Sequence, residues 1–280
     1  MPTVTALQTS AGHVLSDERW LDVHSAACAP EYREFVRQAG FERGWSVLDI
    51  GSGSGSFIPW LREAVGPEGR IVCLDMAIEN CYRSAAKLGT GDVAVATLVE
   101  LPFATGSFDA VWTSNTAQYL TDAQLASALQ YQRRIIRPGG RMAIKDVDML
   151  VFKASPADPF LFSHLAEACF RAPDAPPESA GSLRGRDLRR LLEGAGFVAV
   201  EQHSVLIERW APLTPAESEL WAGWLSYLAA LAMQRDIPAA DIPEWQSIAK
   251  DGGVPFVSQA DFYGCEVQVL AVGVVPGGAA

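Results

Sequence analysis

Three glycines at positions 51, 53 and 55 follow a short apolar run, and an aspartate, Asp49, comes just before them. Glycine allows the backbone to approach a ligand closely, and the N-terminus of a following helix offers unpaired N–H groups. This arrangement predicts a binding site for a nucleotide-like cofactor at the carboxyl end of a parallel strand.

Three residues indicate which cofactor is bound. A dinucleotide fingerprint G-x-G-x-x-G would need glycine at position 56, where the chain has Ser56. Asp49 would lie close to a negatively charged pyrophosphate, so a cofactor with a cationic end fits better, and S-adenosylmethionine carries both an ammonium and a sulfonium. Asp75 ends the next apolar run and can accept the ribose hydroxyls, as it also would for NAD, so it supports an adenosine ligand in general.

The elements that position these residues alternate along 44–146. Apolar runs that end in turn residues predict strands at 46–50, 70–74, 93–97, 108–113 and 141–145. Helices are predicted at 57–65, at 78–87 and from the capping box of Thr121 and Gln124 to about 136. Strands separated by helices imply parallel pairing with right-handed crossovers.

The second half of the chain is less regular. Five prolines interrupt 147–181, where one short helix is expected at 160–170. A helix at 183–193, a strand at 197–207 and a final strand at 266–275 complete the predicted sheet. A second capping box, of Thr214 and Glu217, begins a helix that is apolar nearly all round.

Composition limits the classes of function. The chain has 280 residues, 49% of them hydrophobic, and its net charge of -11 disfavours nucleic acid and anionic membrane surfaces as partners. Five scattered cysteines without a C-x-x-C pair give no signal for a zinc site and are typical of reduced thiols in the cytoplasm. We expect neither a signal peptide nor a membrane span, because no basic segment precedes an apolar one and every apolar run is short.

Four segments together resemble the class I S-adenosylmethionine-dependent methyltransferases, in particular their ubiquinone/menaquinone-type small-molecule branch. The matching segments are VLDIGSGSG at 47–55, Asp75, LPFATGSFDAV at 101–111 and RRIIRPGGRMAIKD at 133–146. Their order and spacing agree over about residues 30–205. The resemblance implies an α/β fold: a Rossmann-like, doubly wound, mostly parallel seven-stranded sheet with helical cap insertions and an antiparallel last strand.

The resemblance also implies roles for single residues. The glycine loop would pack along the methionine part of the cofactor, Asp49 would orient its amino acid end, and Asp75 would bind the ribose. One departure is that the third strand ends at Thr97, where the family usually has an acidic residue for the adenine amino group. The implied cofactor-binding residues are Asp49, Gly51, Ser52, Gly53, Gly55, Asp75, Met76, Thr97, Leu98, Asn115 and Gln118, and the segment just before Leu101 would flank the adenine.

The predicted domain limits follow the same pattern. We expect an N-terminal helical cap segment at 1–43 and a Rossmann-like core at 44–207 that contains an insertion at 147–181. A helical lid at 208–262 and the last core strand at 263–275 complete the chain.

Methyl transfer requires the acceptor nucleophile and the sulfonium to be aligned at close range, and a base only if the nucleophile must lose a proton. Candidates for the base are Asp146, Asp148, His164 and His203. Asp146 is favoured because it follows the fifth strand, and His164 is the second catalytic candidate. The predicted substrate-binding residues are aromatic side chains that could line an acceptor pocket: Trp20, Tyr32, Trp221 and Trp224.

The sequence therefore predicts a cytoplasmic enzyme that transfers a methyl group to a small, apolar or aromatic acceptor, as in quinone or natural-product biosynthesis. The expected partner is this small molecule, with no nucleic acid, membrane or metal, and a homodimer stays open. Three alternatives remain: a cyclisation or rearrangement that uses the same cofactor, an NAD-dependent oxidoreductase, and a non-catalytic binding module.

Overall fold

The computed structural model describes residues 17–98, 101–173, 175 and 177–277. Seven strands form one sheet in the order β3-β2-β1-β4-β5-β7-β6. The strands are β1 (Ser46–Ile50), β2 (Arg70–Asp75), β3 (Val93–Val95), β4 (Phe108–Ser114), β5 (Ile136–Ser155), β6 (Val198–Trp210) and β7 (Tyr263–Val274).

The helices lie between and around these strands. They are α1 (Glu18–Ala27), α2 (Ala29–Gln38), α3 (Ile58–Val65), α4 (Ile78–Leu88), α5 (Asp122–Ile135), α6 (Leu161–Phe170), α7 (Leu188–Gly194), α8 (Pro215–Ala232), α9 (Ile242–Ala249) and α10 (Val254–Val257). Both predicted capping boxes are present: Thr121 and Gln124 cap α5, and Thr214 and Glu217 cap α8. These caps satisfy N–H groups that the first helical turn leaves without partners.

The centre of the sheet is parallel and fully buried. In register, Leu48 of β1 lies between Val72 of β2 and Val111 of β4, and β4 pairs in parallel with β5. The strand order reverses between β1 and β4, so the crevice at their carboxyl ends is the place where an open α/β sheet binds a ligand.

The last strand runs against β5. Gly139 donates from its backbone N–H to the carbonyl of Val275, and Val275 donates to Gly140, near the start of β5. Near the other end of β5, the Cys265 thiol at the start of β7 contacts the carbonyl of Val151. The predicted fold class, a mostly parallel seven-stranded Rossmann-like sheet with an antiparallel last strand, is confirmed.

Three predicted elements differ in extent. β3 ends at Val95, two residues before the predicted end at Thr97, although the Ala96 N–H still bonds to the carbonyl of Asp75 in β2. β5 runs through 136–155, so residues expected to form a turn and an irregular insertion are strand. The helix predicted at 183–193 is a 3-10 segment, Pro177–Asp187, followed by the shorter α7.

The chain divides into two compact units. Unit 1 comprises the described residues of 1–29, 149–176 and 206–267, and it contains α1, α6 and α8–α10. Unit 2 comprises those of 30–148, 177–205 and 268–280, and it contains α2–α5, α7 and the parallel part of the sheet. The predicted domain limits stay a prediction. Within the described ranges, none of the helices combines the length and apolarity needed to cross a bilayer.

Candidate cofactor and active site

The glycine loop of unit 2 is a tight turn between β1 and α3. Gly51, Gly53 and Gly55 have φ values of 71°, 54° and 77°, in the left-handed region that other residues rarely adopt. The N–H groups of Gly51 and Ser52 both donate to the carbonyl of Leu74, at 2.7 and 3.1 Å. The end of β2 therefore determines the path of the loop.

Asp75 fastens the same loop with its side chain. One carboxylate oxygen accepts from the N–H of Gly53 at 2.9 Å. The other accepts from the N–H of Ala77 at 2.9 Å and from the amide of Asn80 at 3.2 Å. Asp75 thus connects the glycine loop to the start of α4, and its predicted role as the ribose ligand stays a prediction.

Ser84 on α4 contacts the glycine loop and is not among the residues predicted from the sequence. Its hydroxyl lies 3.2 Å from that of Ser52 and donates to the carbonyl of Gly53 at 3.2 Å. A side chain at Gly55 would approach the same serine. A serine in the middle of a helix has no recognisable spacing relation to a glycine loop, so only the packing of α4 reveals this contact.

Asp49 is a buried carboxyl group at the edge of the loop, with only 2% of its surface exposed. Its Oδ2 has no hydrogen-bond partner among the residues that the structure describes. Burial, and secondly the negative charge of Asp75, raises the pKa of Asp49 to about 8. An ammonium group would supply both the missing hydrogen bond and the compensating charge, so the site fits the amino acid end of S-adenosylmethionine.

The predicted adenine contacts lie at the ends of β2 and β3. Met76 is exposed immediately after Asp75. Thr97 is exposed and Leu98 is half-buried. Both lie after the end of β3 at Val95, whereas Thr97 was expected to be the last residue of this strand. Residues 99 and 100, expected to flank the adenine, lie outside the described residues.

A cluster of polar and aromatic side chains lies at the carboxyl end of β4, where Ser114 pairs with Lys145 in the middle of β5. The Lys145 ammonium donates to Asn115 Oδ1 at 2.8 Å and lies 3.8 Å from the centre of the Tyr32 ring. The Asn115 amide also donates to the Tyr32 hydroxyl at 3.4 Å. Lys145 is completely buried, and Asn115 has a positive φ of 50°. Lys145 is not among the residues predicted from the sequence, although a lysine inside an apolar strand was a usable signal.

Tyr32 also connects this cluster to the glycine loop. Its ring stacks on Phe57, with 5.5 Å between ring centres, and Phe57 directly precedes α3. Next to the loop, Thr116 occupies the space that a side chain at Gly51 would need. The predicted cofactor-binding residues that follow β1, β2 and β4 all belong to unit 2.

Asp146 holds the backbone after β4. Its two carboxylate oxygens accept from the N–H groups of Gln118 and Val147, at 2.9 and 2.8 Å. Burial raises the pKa of Asp146 to about 6, opposed by those two hydrogen bonds and by the charges of Lys145 and Arg184. Its predicted role as a catalytic base stays a prediction.

The 3-10 segment 177–187 is fastened to the Gln118 loop by Arg184. This guanidinium is buried and donates to the carbonyls of Ala117 and Leu120, at 3.0 and 2.8 Å. Gln118 itself is buried, and its side chain donates to the carbonyl of Asn115 at 3.2 Å. Asp148, another candidate base, forms a bidentate ion pair with Arg186.

The structure gives the other predicted site residues partners of their own within each unit. His164 of unit 1 contacts Asp241 through Nδ1 at 2.8 Å, and His203 of unit 2 lies 3.8 Å from Glu201. Three of the four predicted substrate residues belong to unit 1 and are buried: Trp20, Trp221 and Trp224.

The three tryptophans form part of the aromatic core of unit 1. The Phe152 ring stacks on Trp221 and Trp224, with ring centres 4.9 and 4.8 Å apart, and Trp20 stacks on Trp224 at 6.2 Å. Their predicted role in acceptor binding stays a prediction.

The chain is similar in sequence to known methyltransferases. A methyltransferase-domain family matches residues 47–140. The O-methyltransferase rstn1 of Aspergillus nomiae is 30% identical over 60% of this chain and 71% of its own length. The ubiquinone/menaquinone biosynthesis C-methyltransferase UbiE of Klebsiella pneumoniae is 26% identical over 60% of this chain and 72% of its own length.

Other relatives are matched over shorter stretches or in fold alone. An uncharacterised 37.1 kDa protein of a Streptomyces fradiae transposon is 34% identical, but the match spans only 31% of its length. The crystal structure of the YcgJ protein of Bacillus subtilis has the same fold, with a TM-score of 0.53 at 18% identity over 89% of this chain and all of that one.

The fold and the glycine-loop site define an α/β protein that binds an adenosyl cofactor with a cationic end. The chain belongs to the class I S-adenosylmethionine-dependent methyltransferases, and S-adenosylmethionine is its cofactor.

Proposed function

We propose that this methyltransferase acts on a small acceptor with an apolar or aromatic body, as in quinone or natural-product biosynthesis. The cofactor supplies an activated methyl group when bound. The observation that carries the proposal is the cluster of Tyr32, Asn115 and Lys145, which places one aromatic ring and two polar groups beside the glycine loop.

The composition of this cluster supports the acceptor class. Pockets for small apolar ligands combine aromatic walls with a few fixed polar groups. Tyr32 and Phe57 supply stacked rings, and Asn115, only half-buried, supplies an amide that can turn toward a substrate hydroxyl or carbonyl. Two matched relatives carry names of the same kind, a quinone-biosynthesis C-methyltransferase and an O-methyltransferase.

Within this proposal, Lys145 and Asp146 are positioning residues. Lys145 holds the Asn115 side chain in place through its hydrogen bond. Asp146 fixes the backbone of the same loop through the N–H of Gln118. Alignment of two reacting groups at close range is the main contribution that a methyltransferase makes, so rigid placement of this loop should affect turnover.

The test is a panel of acceptors incubated with the purified chain and S-adenosylmethionine, read by mass spectrometry for the gain of one methyl group. The panel contains hydroquinones and phenols, matched with hydrophilic amines and carboxylic acids of similar size. Methylation of the aromatic members, and its strong reduction in Lys145→Met with cofactor binding retained, is the expected result. Methylation of the hydrophilic members alone would overturn the acceptor class.

We infer further that the enzyme works in the cytoplasm. Its five cysteines are all thiols, and four of them are buried, which is the usual state of cysteine in a reducing compartment. Labelling of the thiols with a maleimide in freshly lysed cells under denaturing conditions should modify all five. A protected, disulfide-bonded fraction would contradict the cytoplasmic location.

A further inference from the structure

Unit 1 brings together three metal-ligating side chains from distant parts of the chain. His24 lies in the last turn of α1, Cys28 is the C-cap of the same helix, and Glu266 lies on β7. One ligand atom from each residue, a ring nitrogen, the thiol sulfur and a carboxylate oxygen, lies within 4.8 Å of the other two. The Cys28 sulfur is 3.7 Å from Glu266 Oε1.

We propose that His24, Cys28 and Glu266 bind a divalent transition-metal ion, with Zn²⁺ as the best match. Imidazole, thiolate and carboxylate are the three protein ligand types of zinc. Around a tetrahedral zinc ion, such ligand atoms lie about 3.3–3.8 Å apart, so side-chain movements of about 1 Å complete the site. The site is independent of the proposed acceptor class.

The local fold suits a cation. His24 and Cys28 are four residues apart, so the helix presents both on one face. The C-terminal end of a helix carries a partial negative charge, which favours a positive ion there. Cys28 and Glu266 are 2% and 4% exposed, and a divalent ion would compensate the charge of a buried thiolate and carboxylate.

Aromatic rings and one arginine lie next to the proposed ligands. The His24 ring is flanked by Trp20 and Trp224, with ring centres 6.0 and 6.1 Å away. Arg209 donates to the carbonyl of Ala27 at 2.7 Å and forms an ion pair with Glu217 at 2.7 Å.

Binding changes the protonation of the site. The Cys28 thiol, which donates to Glu266 in the structure, must lose its proton to the solvent when its sulfur bonds to the metal. Three protein ligands leave the fourth tetrahedral position to a water molecule. Because the ligands come from α1 and β7, the ion would stabilise the packing of these two elements within unit 1.

The experiment uses the full chain, freed of metal with a chelator and titrated with ZnCl2 in competition with a chromophoric chelator. We expect one ion per chain and an affinity at least about tenfold lower in His24→Gln, Cys28→Ser and Glu266→Gln. The matched controls are Cys265→Ser, which changes the neighbouring thiol on β7, and His164→Gln. Neither control should alter the affinity.

A second measurement identifies the ligands even if one variant folds poorly. Co²⁺ in place of Zn²⁺ should give a sulfur-to-metal charge-transfer absorption that disappears in Cys28→Ser and persists in Cys265→Ser. Far-ultraviolet circular dichroism establishes that each variant is folded, and the half-buried His24 is the position least sensitive to substitution. Less than one ion per wild-type chain, unchanged affinity in His24→Gln, or a cobalt band without sulfur character would each overturn the proposal.

Discussion

The carboxylate of Asp75 accepts a hydrogen bond from the backbone N–H of Gly53 at 2.9 Å, so the residue that ends β2 also fixes the loop that follows β1. The same carboxylate holds Ala77 and Asn80 at the start of α4. In this family member, the expected ribose ligand therefore also maintains the shape of the glycine loop.

Asp75→Ala should weaken S-adenosylmethionine binding by at least about tenfold, because hydrogen bonds to a charged group are each worth about 1.5–3 kcal/mol. Isothermal titration with S-adenosylmethionine and S-adenosylhomocysteine measures the loss. Asp92→Ala is the control, because Asp92 forms a surface ion pair with Arg70 in the same unit. Equal affinity in Asp75→Ala and the wild type would remove Asp75 from the cofactor site.

Gly51→Ala should destabilise the protein more than Gly89→Ala does. Both glycines have a left-handed φ, which costs a residue with a Cβ roughly 1–2 kcal/mol. At Gly51 the added Cβ also collides with Thr116, whereas at Gly89 it meets nothing within 4 Å. Urea unfolding of the two variants measures the difference, and equal destabilisation would show that Thr116 moves aside freely.

Cofactor binding should depend on pH through Asp49. Below pH 8 its carboxyl group is mostly protonated, since its pKa is raised to about 8. A bound ammonium favours the ionised form, so binding at pH 7 should release a proton and the affinity should rise from pH 6 toward pH 8. Titration calorimetry in buffers of different ionisation enthalpy counts the proton, and Asp49→Asn should neither release it nor bind tightly.

The raised pKa of Asp49 should also make the cofactor-free protein less stable as the pH rises, whereas its affinity for the cofactor rises. Because the folded state holds the Asp49 proton more tightly than the unfolded state, this proton contributes to the free energy of unfolding. The contribution is complete below the unfolded pKa, near 4, and is lost as the pH rises through the folded pKa of about 8. Over that window the loss approaches about 1.4 kcal/mol per pH unit. Urea unfolding at several pH values should show a flatter profile in Asp49→Asn, and parallel profiles would contradict the buried, protonated state of Asp49.

Lys145→Met should reduce kcat at least about tenfold while cofactor affinity changes little. The substitution keeps the volume of the buried side chain but leaves Asn115 Oδ1 without its donor. Lys145→Arg, which keeps a donor, should restore part of the turnover, and Lys153→Met is the matched control on the same strand. If the folded fraction of Lys145→Met falls as much as its activity, so that kcat per folded molecule is unchanged, Lys145 has a purely structural role.

Arg184→Ala should destabilise the fold by about 2–4 kcal/mol, because the buried carbonyl of Ala117 and the part-buried carbonyl of Leu120 lose their donor. The ion pair of Arg184 with Asp122 should contribute little, since the Asp122 side chain is 86% exposed. Asp122→Ala is therefore the control, with a change within about 0.5 kcal/mol. Urea unfolding of both variants separates the contribution of the carbonyls from that of the ion pair.

The sequence by itself determined the fold class, the limits of most core strands and the cofactor. These features depend on local patterns: apolar runs that end in glycine, capping boxes at Thr121 and Thr214, and an acidic residue before the glycine loop. Where the local pattern was ambiguous the prediction failed, as at β5, which continues through Pro138-Gly139-Gly140 because its neighbours in the sheet supply the hydrogen bonds.

Only the tertiary structure decided which distant residues meet. It brings Ser84 into contact with the glycine loop and Lys145 into contact with Asn115 and Tyr32. It also places Glu266 next to His24 and Cys28. No spacing rule links such pairs, because their proximity results from the packing of helices and strands that are far apart in the chain. The burial that raises the pKa of Asp49 has the same origin: desolvation depends on every element around a group, and a sequence shows only its neighbours in the chain.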